Sequence, residues 1–118
     1  MGRALTVRDF VRSFQREIRD TPDLLPDRAA ELLNQLASLL GNCNDEIRAA
    51  DAAYAAVLLG QLESEEKANR ARIKAETSPE YQRKREARDT KELVIELMRS
   101  LKYFLRSKAE ELQMARHQ

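Results

Sequence analysis

Groups able to do chemistry are scarce in this 118-residue chain, and they are poorly placed for it. The one histidine, His117, is the penultimate residue, where chain ends are usually frayed. The one cysteine, Cys43, meets a base only if that end docks against it. Acidic clusters stand at Glu63, Glu65 and Glu66 and at Glu110 and Glu111, but no histidine lies near either. The Glu-x-x-His repeat of carboxylate metal bundles is also absent. Three glycines cannot furnish a phosphate-cradling loop. The expectation is therefore no catalytic residue, no metal, no cofactor and no enzymatic activity.

The cations are a different matter. Residues 67–88 hold Lys67, Arg70, Arg72, Lys74, Arg83, Lys84, Arg85 and Arg88 against three acids, a net charge of +5. Lys and Arg at this density can neutralise nucleic-acid phosphates without reading sequence, in a binding mode that weakens steeply with salt. Tyr81 lies inside the cluster, where its ring could stack on an unpaired base. A second basic feature is the stripe Arg8, Arg12, Arg16 and Arg19, at helical spacing near the start of the chain. Either group could instead face an acidic segment of a neighbouring chain, or simply solvent. Residues 23–66 carry nine acids against Arg28 and Arg48, a net of −7, so pairing between subunits is a real alternative.

The elements that must carry these charges are helices. With 35% charged residues, 5% aromatics and no tryptophan, the composition is that of long helices and coiled coils. Thr6 with Asp9 three residues later forms a capping-box pattern, and Val7, Phe10, Val11, Phe14 and Ile18 give the following segment an apolar face. Residues 7–20 are thus a first helix, stopped before Pro22. An apolar seam at alternating three- and four-residue steps then runs through Ala29, Leu33, Leu36, Leu40, Cys43, Ile47, Ala50, Tyr54 and Val57. It passes Gly41 without losing phase, so one helix from about residue 26 to 76 is predicted, with a kink near 41–45. Ser78-Pro79 marks the start of a last helix, whose apolar face comprises Val94, Leu97, Leu101, Phe104, Leu105 and Leu112.

Folding back at Thr77-Ser78 would set residue i opposite roughly residue 155 minus i. Leu62 then meets Leu93, Leu58 meets Leu97, Tyr54 meets Leu101 and Ala50 meets Leu105. The predicted fold is all-α: a short N-terminal helix (1–22) and a long antiparallel, coiled-coil-like hairpin (23–76 and 79–115) in a single domain. Its basic tip lies at the chain reversal. Packing between helices or subunits is assigned to Phe10, Phe14, Leu36, Leu40, Ile47, Tyr54, Leu58, Leu62, Val94, Leu97, Leu101, Phe104 and Leu105. A two-helix rod buries little apolar surface alone, so self-association is expected. No leader-like apolar run and no stretch of roughly 20 apolar residues is present, and a single cysteine suits a reducing compartment. A cytoplasmic protein without a membrane partner is expected.

An Ala/Tyr-rich apolar block (Asp51 to Leu62) precedes a charged connector with a tyrosine (Lys67 to Arg88). A closing helix with an aliphatic heptad follows (Asp89 to Arg116). This layout resembles the small recombination mediators of phages, the UvsY type, over about residues 45–116. The resemblance implies an oligomeric helical protein that binds single-stranded DNA and helps load a recombinase onto it, in the host cytoplasm. The alternative is a protein–protein adaptor or assembly factor that works through the seam and binds no nucleic acid.

Overall fold

The computed structural model describes residues 4–117, and every regular element among them is an α-helix. Helix α1 (Val7–Asp20) starts with the predicted capping box: Asp9 N–H donates to Thr6 Oγ1 at 3.2 Å, and Thr6 N–H donates to Asp9 Oδ2 at 3.0 Å. It ends at Thr21, pushed out of the helical region (φ −118°, ψ 84°) by the proline that follows. Helix α2 (Pro26–Ser64) has proline in its first position, where a missing N–H costs nothing. It remains helical through 41–45.

The helix expected to run to residue 76 is interrupted. Residues 65–67 leave helical geometry, and a separate helix α3 (Ala68–Glu76) follows from Lys67, which has an extended backbone (φ −109°, ψ 127°) and no side-chain cap. Helix α4 (Pro79–Arg116) begins as predicted, with Ser78 Oγ accepting from Tyr81 N–H at 3.2 Å. Helices α2 and α4 pack as a hairpin. Their register, however, is not the predicted one. Arg83 reaches Glu46, Arg88 reaches Asp51 and Tyr81 packs on Tyr54, so residue i faces roughly residue 135 minus i. Tyr54 therefore meets Tyr81 rather than Leu101. The chain turns back at 65–67, where Lys74 of α3 returns to bond Glu65, and not at Ser78. A strong local cap at Ser78 marks a helix boundary; it does not by itself mark a change of direction.

Contacts divide the chain into two compact units: Met1–Leu40 with Glu92–Gln118, and Gly41–Lys91. The first is held by Val11, Ala29, Leu32, Leu36, Val94 and Leu101, all essentially without solvent contact. Leu32 takes the slot expected for Leu33, which is only half-buried. The second unit has a core of small groups: Cys43, Ala50, Tyr54, Ala71, Ala75 and Ala87, with Thr90 donating back to the Glu86 carbonyl at 2.7 Å. Of the α2 alanines between 49 and 56, Ala50 is buried and Ala53 half-buried, while Ala49, Ala52, Ala55 and Ala56 face solvent. Helix α3 supplies the missing close contacts with Ala71 and Ala75, four residues apart on one face.

Along α2 itself, Ala29, Leu36, Cys43 and Ala50 recur every seven residues and are all buried. The alternate column, Leu33, Leu40 and Ile47, is half-open and closes only at Tyr54. One column of the heptad carries most of the packing.

Candidate nucleic-acid interface

The register decides which cations are available. In the unit Gly41–Lys91, Arg83 grips Glu46 through two bonds: Nε to Oε1 at 2.8 Å and a terminal nitrogen to Oε2 at 3.3 Å. The hydrogen bond to Glu46 is also what raises the Arg83 pKa above its ordinary value. Arg88 donates to Asp51 Oδ2 at 2.8 Å. Lys74 bonds Glu65, holding that carboxyl below its usual range against a smaller opposing effect of burial, with the Arg70 charge adding to the field. Lys84 sits 4.6 Å above the centre of the Tyr54 ring, a cation–π contact. Tyr81 is half-buried, its ring 5.3 Å from that of Tyr54 and tilted by 49°. Burial raises the Tyr54 hydroxyl pKa, and Glu76 and Tyr81 push it the same way.

These contacts sort the members of the predicted site. Arg83, Lys84 and Arg88 are staples of the hairpin, Lys74 fastens α3 to the end of α2, and Tyr81 is a packing residue whose face is already occupied. Asp51 shares in this: one carboxylate oxygen takes the Arg88 bond, and the other is buried without a hydrogen-bond partner. Lys67, Arg70, Arg72 and Arg85 are left exposed, with no ion pair among the described residues. Three of those four lie within six residues of one another, on the turn and on α3.

On α1, Arg12 and Arg16 are exposed and have no ion pair among the described residues. Arg19 is bound to Asp20 at 3.0 Å, and that hydrogen bond chiefly raises the arginine pKa and lowers the carboxyl pKa. Arg8 is half-buried. The stripe survives as a surface feature of α1 with two open cations at its centre.

The sequence reading missed an ion-pair cluster centred on Arg28. Arg28 donates to both Glu17 oxygens at 2.6 Å and to Glu31 at 3.0 Å, tying the end of α1 to the first turns of α2. The Arg28 bonds hold the Glu17 carboxyl below its usual value despite some burial. A partner eleven residues away across a break is not visible from helical spacing.

Among the assigned packing residues, Leu36, Tyr54, Val94 and Leu101 are buried, and Phe14, Leu40, Ile47, Leu58, Leu97, Phe104 and Leu105 are half-buried. Phe10 and Leu62 stay 42% and 44% exposed. Cys43 is buried, and desolvation drives its thiol pKa up, with Lys91 opposing weakly. That is the reverse of what a thiolate nucleophile requires. Among the described residues no group of three His, Cys, Asp or Glu side chains is arranged to hold a metal, and no helix is long and apolar enough to cross a membrane. Comparison with protein-family models, curated proteins and solved structures finds no match.

Proposed function

We propose that this is a non-enzymatic, self-associating helical protein that binds nucleic-acid backbone, preferentially single-stranded DNA, as an accessory factor of recombination or replication. The observation that carries the reading is what remains after the hairpin has used its ion pairs. Lys67, Arg70, Arg72 and Arg85 are exposed, with no carboxylate of the described residues within ion-pair reach. Unpaired cations can displace counterions from phosphates without first breaking an internal contact. The preference for single strands rests on the resemblance in layout to the phage mediators, as does a recombinase as protein partner.

The test is fluorescence anisotropy of a labelled single-stranded oligonucleotide across a salt series, with a duplex as competitor. Four phosphate contacts to a single strand give a log–log slope near −3, or about a fifty-fold loss between 50 and 200 mM salt. The variant K67A/R70A/R72A/R85A is expected to keep its helical circular dichroism and lose most of that slope. Equal binding and slope in the variant would remove this end of the hairpin from the site and leave Arg12 and Arg16. The adaptor reading is favoured by the exposed Leu5, Phe10 and Leu25 beside α1 and α2. Absence of binding at low salt, together with a defined oligomer mass, is its signature.

A further inference from the structure

Helix α4 keeps its apolar stripe beyond the point where anything covers it. Val94 and Leu101 are buried, Leu105 is half-buried, and Leu112, on the same stripe at helical spacing, is 57% exposed. From Lys108 to His117 every described residue is exposed. The seam residue between Leu105 and Leu112 is Lys108, whose ammonium lies 5.7 Å above the Phe104 ring and 3.4 Å from Glu111. It folds toward the covered end of the seam and leaves Leu112 bare.

We propose that the last three turns of α4 dock on a second copy of this chain, each tail covering the α1–α2 connection of the other. Two observations choose this occupant. The stripe is a direct continuation of the seam that α4 already buries, so it asks for another helix surface of the same kind. The charges are also complementary. From Arg106 to Arg116 the tail carries Arg106, Lys108 and Arg116 against Glu110 and Glu111. The connection presents Leu25, 69% exposed, flanked by Asp23 and Asp27, which are exposed and have no ion pair among the described residues. A reciprocal arrangement satisfies both features twice, as a two-fold interface does. Two helix segments, each about 16 Å long, make an interface at the small end of the range for specific complexes, so the dimer dissociates at micromolar concentration.

This gives the self-association in the proposed function a surface, and it rests on that part alone. The experiment contains no nucleic acid, so its failure is distinct from failure of the anisotropy test. Sedimentation equilibrium of the full chain, across a series reaching roughly 200 µM, should show mass rising from 13.6 kDa toward twice that value. The variant L112E, altered only at an exposed position, should keep its helical signal and stay at 13.6 kDa. D23K/D27K should also be monomeric, and mixing it with R106E/R116E should restore the heavier species. A wild-type chain that stays monomeric throughout overturns the proposal and assigns the tail to a different protein. So does a folded L112E variant that still doubles in mass, or a mixture that fails to re-form a dimer.

Discussion

Replacing Leu32 and, separately, Leu33 by alanine distinguishes the observed packing from the one that the apolar seam alone suggests. Leu32 has no solvent exposure, whereas its neighbour Leu33 is half-buried. Truncating a fully buried leucine removes transfer free energy and leaves a cavity, about 2–5 kcal/mol in all, and about 3 kcal/mol is expected here because the flanking helices can close in only partly. Leu33 loses roughly half the transfer term and opens no enclosed void, so about 1 kcal/mol is expected. For a chain of this size each kcal/mol moves Tm by about 4 °C, giving shifts near 12 °C and 4 °C. Stability of about 0.05–0.15 kcal/mol per residue leaves both variants folded at room temperature. Urea unfolding followed by helical circular dichroism reads the difference in midpoint at constant slope. If Leu33→Ala costs as much as Leu32→Ala or more, the seam runs through Leu33 and the burial pattern of α2 is wrong.

Two further outcomes follow from single contacts. A Cβ added at Gly41 or Gly60 meets nothing within 4 Å, and both lie inside α2, so Gly41→Ala and Gly60→Ala should each stabilise the protein by about 0.5–1 kcal/mol; an unchanged or lowered urea midpoint would refute this. The Glu17 carboxyl is held below its usual 4.5, mainly by the Arg28 hydrogen bonds. A group depressed on folding adds stability that is complete above its unfolded value and is lost as pH falls through the folded one. The stability advantage of the wild type over Glu17→Gln should therefore be full near pH 6 and shrink steadily below about pH 4.5. An advantage that holds down to about pH 2, or none at pH 6, would contradict the role given to the Arg28–Glu17 pair.

Local signals were legible from the residues, and long-range ones were not. Thr6 with Asp9, Pro22, Pro26 and Ser78-Pro79 act within a turn of where they stand, and each helix end they mark is found there. The passage of α2 through Gly41 was also readable, since a preserved heptad phase is a property of one helix. The break at 65–67 carries no proline, no glycine and no side-chain cap. It is fixed by what α3 gains on the far side, in Ala71, Ala75 and the Lys74–Glu65 bond. Alanines give little periodic contrast: the large Ile73 is 64% exposed, while the methyl groups of Ala71 and Ala75 do the packing. The basic cluster was visible as composition. Which members were free depended on partners 37 residues away, and those could be assigned only once the register was known.

The uninterrupted heptad column of α2 has a consequence for how this chain can change length. One residue inserted between Ala29 and Cys43 would rotate everything downstream by about 100°, swinging Cys43 toward water and setting the polar Asn42 in its place. At residues 65–67 there is no helical phase to preserve, and extra residues there would only lengthen a turn. Variation by insertion and deletion is therefore channelled to that short link, a few bonds from Lys67 and Arg70, while the shaft admits changes of residue type alone.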